Sequence, residues 1–255
     1  MKTPLLAADE PHPVIHERPN AASPYLISCD HAGHRIPRSL GDLGVSAGDR
    51  TRHIAWDIGA LGVARALAES LDGELVAQAY SRLVIDCNRP PTSAELFTTR
   101  SEATDVPGNR DLSTAARAAR TAHIYAPYHA CLSSVLDTRA RLGRPSIFVA
   151  VHSFTPVYLD HIRPWHLGIL SGEDRRVADP MLEFLRQQSD LCVGDNEPYR
   201  IDEKDHGIPV HALARGLPHV LLEIRQDLIT APRDQRSWAE RLAQTLNAAR
   251  TALKF

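Results

Sequence analysis

LISCDHAGHRIP, residues 26–37, is the stretch from which the rest of the chain is interpreted. Its first four residues are mostly apolar and β-prone, and Asp30 and His31 follow at once, which predicts a buried strand ending in a turn. In an open α/β sheet, ligands bind at the carboxyl ends of the strands, so His31 is a candidate first ligand of a catalytic metal. The alternative is a turn histidine that bonds to the backbone.

The composition excludes several classes of protein. Of the 255 residues, 43% are hydrophobic and 24% are charged, which is typical of a globular domain with a real core. The net charge of −2 gives no support for nucleic acid or an anionic membrane as a partner. The four cysteines include no C-x-x-C pair, which argues against a disulfide framework and against a thiolate zinc site.

The N-terminal segment, residues 1–24, is rich in prolines and acids and is predicted to be an irregular surface arm. It lacks the apolar run of a signal peptide, and no stretch of the chain reaches the length of a membrane span. A cytoplasmic location is therefore expected. Residues 25–255 show no clean boundary and are predicted to form a single catalytic domain.

Predicted strands and helices alternate along the chain. The strands cover residues 25–29, 74–80, 82–87, 146–151, 166–170, 191–193 and 219–222. The helices cover residues 49–71, 113–142 with a break near Pro127, 173–188, 210–215 and 234–253. This order is typical of one three-layer α/β/α domain with a mixed, mainly parallel sheet. The long loop at 90–112 is expected to shape a binding site.

Chemically active side chains stand at the ends of four predicted strands. They are His31, the pair Asn88 and Arg89, His152, and Glu223 with Arg225. A parallel sheet would gather them at one edge. Two histidines near a carboxylate suit a zinc ion that keeps a fourth position open for water.

Asp57 is our choice for the third ligand, because the predicted helix places it on the first turns that leave this edge. His53 lies four residues earlier on the same predicted helix face and is a competitor or a supporting neighbour. The alternatives are a solvated helix residue for Asp57 and a hydrogen-bonded core histidine for His152.

Glu223 near the end of a buried strand must be paired, bound to metal or catalytic, since unpaired burial of a carboxylate is costly. A structural ion pair with Arg225 is the simplest alternative. Arg82, Arg89 and Arg225 could each clamp a substrate carboxylate, although many arginines only bridge surface acids.

Six motifs in this order resemble the N-formylglutamate amidohydrolase family. They are SCDHAGHRIP (28–37), HIAWDIGA (53–60), SRLVIDCNRP (81–90), VHSF (151–154), GDNEPY (194–199) and LEIRQD (222–227). The resemblance covers roughly residues 24–230. It implies a zinc carboxypeptidase-like or zinc amidase-like α/β fold.

The resemblance also implies roles for individual residues. One zinc ion would be held by His31, Asp57 and His152, with Glu223 as the general base and Arg82 beside the developing oxyanion. Carboxypeptidases place the acidic ligand three residues after the first histidine, where this chain has His34, whereas the amidases place it on the following helix. We therefore expect Asp57 as the ligand, with His34 and His53 as supporting neighbours or replacements.

The substrate would be a small N-acyl amino acid, with N-formylglutamate as the expected example. The resemblance assigns Asn88 and Arg89 to its α-carboxylate, with Arg225 and His206 as further candidates. Two alternatives stay open: an amidase acting on another N-acyl amino acid or on a peptidoglycan amide, and a non-catalytic module that binds zinc or carboxylates. The sequence does not indicate an oligomeric state.

Overall fold

Seven strands form one mixed sheet at the centre of the protein, in a computed structural model that describes residues 4–253. The strands are β1 (Val14–Glu17), β2 (Tyr25–Cys29), β3 (Glu74–Gln78), β4 (Ile147–Phe154), β5 (Leu167–Leu170), β6 (Val193–Asp195) and β7 (His219–Arg225). Strands β2 and β4 are buried along their whole length, which explains why they read as continuous apolar runs.

The spatial order of the strands is β1-β3-β2-β4-β7-β5-β6. The four central neighbours, β3, β2, β4 and β7, run parallel to one another. Strand β5 is antiparallel to β7, β6 is parallel to β5, and β1 is antiparallel to β3. The prediction of a mixed, mainly parallel sheet is confirmed, and the parallel centre brings the carboxyl ends of β2, β4 and β7 to one edge.

Five α-helices cover the two faces of the sheet. They are α1 (Ala60–Ser70), α2 (Thr114–Arg120), α3 (Ala126–Arg141), α4 (Ala178–Arg186) and α5 (Pro232–Ala252). One core, with Met181 and Leu242, joins the sheet to α1, α4 and α5, and the other, with Leu132, joins it to α3. Neighbouring residues of β2 face opposite cores, because Ile27 belongs to the first and Leu26 to the second. The predicted three-layer arrangement is confirmed.

Short elements connect these layers. Single-turn 3₁₀ helices are formed by Arg38–Leu40, Asp49–Thr51, Ala94–Phe97, Pro107–Asn109, Leu213–Arg215 and Gln226–Leu228. Two π-helical turns are formed by Thr121–Tyr125 and Ile208–Ala212. Two small hairpins pair Arg100–Ser101 with Thr104–Asp105 and Val157–Tyr158 with His161–Ile162. The first π-helical turn joins α2 to α3 just before Pro127, where a break was predicted.

The helix predicted for residues 49–71 begins only at Ala60. Residues 52–59 form an irregular loop whose backbone is held by other segments: the carbonyl of Ala55 accepts hydrogen bonds from Ser81 Oγ at 2.7 Å and from the amide of Arg82 at 3.1 Å. His53 and Asp57 therefore do not share a helix face, and that part of the prediction is wrong.

The strand predicted for residues 82–87 is also wrong. This segment forms turns instead. The amide of Val84 donates to the carbonyl of Ser81 at 2.9 Å, and the amide of Asp86 donates to the carbonyl of Leu96 at 3.0 Å. Its apolar side chains are buried in the core on the α3 side, so burial without a strand produced the strand-like pattern. Long apolar runs cannot by themselves distinguish these cases.

The predicted N-terminal arm is not irregular throughout, because β1 lies within it and pairs with β3 as an edge strand. The first three residues of this arm and the last two of the predicted domain lie outside the described residues. Within residues 4–253, every helix is too short or too polar to cross a lipid bilayer.

Candidate metal centre and active site

The three predicted ligands meet in the folded chain. Asp57 Oδ2 lies 2.8 Å from His152 Nδ1 and 3.4 Å from His31 Nδ1. All three residues are buried, and their candidate ligand atoms lie within 4.8 Å of one another. Two imidazole nitrogens and a carboxylate oxygen at this spacing match the donor set of a catalytic zinc site.

The fold explains how these residues converge. His31 stands in the turn after β2, and His152 lies near the end of β4, which is the parallel neighbour of β2. Asp57 reaches the same point from the loop before α1, where its amide donates to the carbonyl of His31 at 2.9 Å. Its Oδ2 also accepts a hydrogen bond from the amide of Ser153 at 3.3 Å. The backbone thus holds the acidic ligand between the two histidines.

Two further carboxylates lie beside the outer nitrogens of the histidines. Asp86 Oδ1 lies 2.7 Å from His31 Nε2, and Asp30 Oδ2 lies 3.3 Å from His152 Nε2. Such carboxylate–histidine pairs orient metal ligands and leave the other nitrogen, here Nδ1, for the ion. The sequence analysis missed both aspartates. Each follows an apolar run, but only the folded chain shows which histidine it contacts.

The electrostatics favour a bound cation. Burial and Arg82 lower the pKa of His31, but Asp86 and Asp57 outweigh them and leave it raised. Burial also lowers the pKa of His152, yet Asp30 and Asp57 raise it well above its ordinary value. Three buried carboxylates around two imidazoles therefore attract positive charge. The residues present fit a divalent metal ion.

Glu223 stands beside this group on β7, where it pairs in register with His152 on β4. Its Oε2 is buried and has no hydrogen-bond partner among residues 4–253. Burial raises the pKa of Glu223 to about 8. A carboxyl group with a raised pKa, free to exchange a proton inside a cavity, has the properties of a general acid–base residue.

Arg82 contacts the ligand group directly. Its Nη2 and Nε donate to Asp86 Oδ2 at 2.7 and 3.0 Å, and its Nη1 lies 3.6 Å from Asp57 Oδ1. Burial lowers the pKa of Arg82, but Asp86 and Asp57 outweigh it and leave the pKa raised. A permanent positive charge therefore lines the cavity beside the metal ligands.

The two residues of the predicted carboxylate clamp line the cavity and also bond to other parts of the protein. Asn88 Nδ2 donates to Asp205 at 2.9 Å, and Asn88 Oδ1 accepts from the amides of His206 and Gly207. Arg89 donates to Glu95 Oε2 at 3.0 Å. Both residues also contact the loop at 200–207, Arg89 through the carbonyl of Lys204 and through Asp205. Their role toward a substrate stays a prediction.

Two other predicted substrate contacts lie elsewhere. The side chain of Arg225 donates to Asp227 Oδ1 at 2.8 Å, so it forms neither the ion pair with Glu223 that was considered as an alternative nor part of the cavity wall. The ring of His206 packs 4.7 Å from that of His129, and His206 does not line the cavity. Their side chains contact protein partners outside the cavity wall, and a role in substrate binding stays a prediction for both.

His53 and His34 do not replace Asp57. Among residues 4–253, the candidate ligand group contains neither of them. His53 Nε2 lies 3.1 Å from Glu102 Oε1 and lines the cavity, and the ring of His34 packs 4.7 Å from Trp56. The supporting contacts that were predicted for these two histidines come instead from Asp30 and Asp86.

The cavity in front of the ligands has a volume of about 600 Å³. Side chains of both charge signs line it, together with Tyr158 and Tyr199, which the sequence analysis did not select. Tyr199 belongs to the GDNEPY motif and could have been found there. No sequence pattern marks Tyr158, because only the folded hairpin of Val157–Tyr158 and His161–Ile162 brings it to the cavity.

Residues 23–230 match the family model of N-formylglutamate amidohydrolase. The chain belongs to this family. The predicted resemblance is confirmed, and membership makes the chain an amidohydrolase, a hydrolase of the carbon–nitrogen bond of an amide. No curated protein sequence matches the chain.

The solved structures that are similar to this amidohydrolase include the following two. A gene product of Agrobacterium tumefaciens is 41% identical, with a TM-score of 0.95 over 98% of this chain and 100% of that one. An N-formylglutamate amidohydrolase from Ralstonia eutropha JMP134 is 19% identical, with a TM-score of 0.63 over 92% of this chain and 98% of that one. The second likeness shows a shared fold.

Proposed function

We propose that this family member is a zinc-dependent amidohydrolase that removes the N-acyl group, an N-formyl group in the first instance, from an amino acid such as N-formylglutamate. One observation carries the proposal: a buried His-Asp-His group opens into the same cavity as a carboxyl group without a hydrogen-bond partner. The family match supports the reaction class, and the name of the Ralstonia relative supports the substrate.

The zinc ion would be held by His31, Asp57 and His152. When bound, it supplies Lewis-acid chemistry that polarises an amide carbonyl and lowers the pKa of water. Glu223 takes one proton from the attacking water and passes it to the amide nitrogen as the carbon–nitrogen bond breaks. The products are a carboxylic acid and a free amino acid, so all atoms of water and amide are accounted for.

Arg82 contributes charge rather than a proton. Its guanidinium stays protonated beside Asp57 and Asp86 and faces the cavity. A fixed positive charge at this position would stabilise negative charge that develops on the carbonyl oxygen of the amide. The metal ligands need not move for this, because the two aspartates already hold the guanidinium.

The size of the cavity favours a second candidate within the same chemistry. A volume of about 600 Å³ lies in the range that accommodates drug-sized ligands and exceeds the needs of a formyl group. An amino acid with a larger N-acyl group is therefore the alternative substrate. A non-catalytic module is disfavoured, since burial of an unpartnered Glu223 is costly unless the residue has a use.

Replacement of Glu223 by Gln tests the proposed base. The variant keeps the shape of the side chain but cannot accept the proton, so we expect turnover to fall about 100- to 10,000-fold with zinc content unchanged. Metal analysis and rates on a panel of N-acyl amino acids measure the two quantities. Glu183→Gln, at an exposed position of α4, is the control. Near-normal rates in Glu223→Gln would refute the assigned role.

A further inference from the structure

Arg163 occupies an unusual position next to the cavity. It directly follows the small hairpin of Val157–Tyr158 and His161–Ile162, and its amide donates to the carbonyl of Pro156 at 2.8 Å. Its guanidinium carbon lies 4.8 Å from the ring centres of both Tyr158 and Tyr199. Both tyrosines line the cavity that contains Glu223. The cation therefore stacks against two tyrosines of the cavity wall without itself lining the cavity.

The charge of Arg163 is not neutralised by the protein. Among residues 4–253, no carboxylate lies within ion-pair distance of its guanidinium, and the same holds for Arg200, which lines the cavity. The three remaining arginines that line the cavity, Arg82, Arg89 and Arg100, all have carboxylate partners. The wall formed by Tyr199 and its neighbours is thus where positive charge remains available to an anion.

The hydroxyl of Tyr199 is oriented by this cation. Arg163 Nη1 donates to Tyr199 Oη at 2.8 Å, which occupies a lone pair of the phenol oxygen and leaves its O–H free to donate elsewhere. Desolvation raises the pKa of Tyr199 to about 12, and the charge of Glu223 acts in the same direction. The phenol is therefore a neutral hydrogen-bond donor at neutral pH rather than a base.

We propose that Tyr199 donates this hydrogen bond to the α-carboxylate of the substrate, and that Arg163 is the positioning residue that fixes its hydroxyl. This inference rests on the proposed function, because it takes an N-acyl amino acid as the substrate. It assigns the carboxylate to this wall instead of to Asn88 and Arg89, which line the same cavity but bond to Asp205 and Glu95.

Kinetics of the zinc-loaded enzyme test the assignment with a pair of substrates. N-formyl-L-glutamate carries the α-carboxylate, and N-formyl-L-isoglutamine has a neutral amide in its place. We expect Tyr199→Phe and Arg163→Gln each to raise KM for the first compound about tenfold, with kcat changed less than about twofold. On the second compound, the same variants should match the wild type. An equal loss on both compounds would overturn the proposal.

A double variant separates positioning from a merely structural role. Because Arg163 acts through Tyr199, Arg163→Gln in a Tyr199→Phe background should raise KM no further. Full additivity of the two KM effects would contradict the positioning role. Tyr80→Phe, which removes a hydroxyl bonded to the carbonyl of Pro11, and Arg233→Gln, at a position 91% exposed, are the matched controls and should leave both constants unchanged.

Calorimetric binding of L-glutamate distinguishes this inference from the proposed function. Suppose that the wild type hydrolyses neither compound but binds L-glutamate, and that Tyr199→Phe weakens this binding about tenfold. That result would support the carboxylate site and refute the proposed reaction. If hydrolysis proceeds and Tyr199→Phe leaves KM and L-glutamate binding unchanged, the result would support the proposed function and refute the carboxylate site at Tyr199. A wild type that neither hydrolyses nor binds would overturn both.

Discussion

A neighbouring aspartate favours one nitrogen of each candidate histidine for a metal ion. Asp86 contacts Nε2 of His31, and Asp30 contacts Nε2 of His152, so both rings present Nδ1 to Asp57. A histidine can bind a metal through either ring nitrogen, and a carboxylate beside one nitrogen leaves the other for the ion. The aspartates are therefore as much part of the candidate site as the ligands.

Asp86→Asn should lower the affinity for zinc about 10- to 100-fold, because the amide supports the ring of His31 less strongly than the carboxylate. Competition with a chelator of known affinity measures this. Asp179→Asn is the control, since Asp179 likewise accepts a hydrogen bond from an arginine, but at the surface. Zinc affinity equal to that of the wild type would show that Asp86 does not support the ligand.

At the scale of an element, the late start of α1 creates the loop that supplies Asp57. Gly59 stands at the junction with a φ of +80°, a conformation that favours glycine. A Cβ at this position would also lie 2.3 Å from the carbonyl oxygen of Ile229. A helix that began at residue 49, as predicted, would instead carry Asp57 away from the backbone contacts that hold it.

Gly59→Ala should therefore lower both the free energy of unfolding and the affinity for zinc. Gly143→Ala is a matched control, because Gly143 has a φ of +65° but no atom within 4 Å of the added Cβ. We expect the control to lose about 1 kcal/mol and to keep its zinc affinity. The steric contact at residue 59 should cost a further ~1–3 kcal/mol in denaturant titrations. Equal losses in the two variants would contradict this account.

At the scale of the whole molecule, buried polar groups continue behind the candidate site into the core on the α3 side. Tyr128 donates a hydrogen bond to Asp30. The next residue is His129, and its Nδ1 lies 2.9 Å from His211 Nε2. Burial lowers the pKa of His129 to about 3 and that of His211 to about 4. These two histidines stay neutral in the folded protein over a range where they are charged in the unfolded chain.

The sign of the resulting pH dependence follows from proton binding. Below pH 6.5, the ordinary pKa of histidine, the unfolded chain binds a proton at residue 211 and the folded protein does not, until pH falls to about 4. The free energy of unfolding should therefore decrease on acidification through this range. At pH 5, His211 should account for a loss of about 2 kcal/mol, which His211→Gln removes.

Chemical denaturation of the zinc-free protein at pH 7 and pH 5 measures this difference. His123→Gln, at an exposed position of the π-helical turn between α2 and α3, is the control and should keep the pH dependence of the wild type. A pH dependence in His211→Gln as steep as that of the wild type would contradict the assignment.

Much of this architecture follows from the sequence alone. The apolar runs of β2, β4 and β7 predict buried parallel strands, and polar residues at their ends predict His31, His152 and Glu223 at one edge. These inferences succeed because hydrophobic burial and strand periodicity act locally, within a few residues. Because β2, β4 and β7 are parallel neighbours, their carboxyl ends lie at the same edge of the sheet.

Only the tertiary structure decided which polar groups remain available. Asn88 and Arg89 read as a clamp for a substrate, but Asn88 bonds to a loop more than a hundred residues further along the chain. Asp86 was hidden in a segment mistaken for a strand, and Arg163 with Tyr199 was not selected. Hydrogen bonds and ion pairs between distant segments depend on where the packed core places each backbone, and no local pattern in the sequence records that placement.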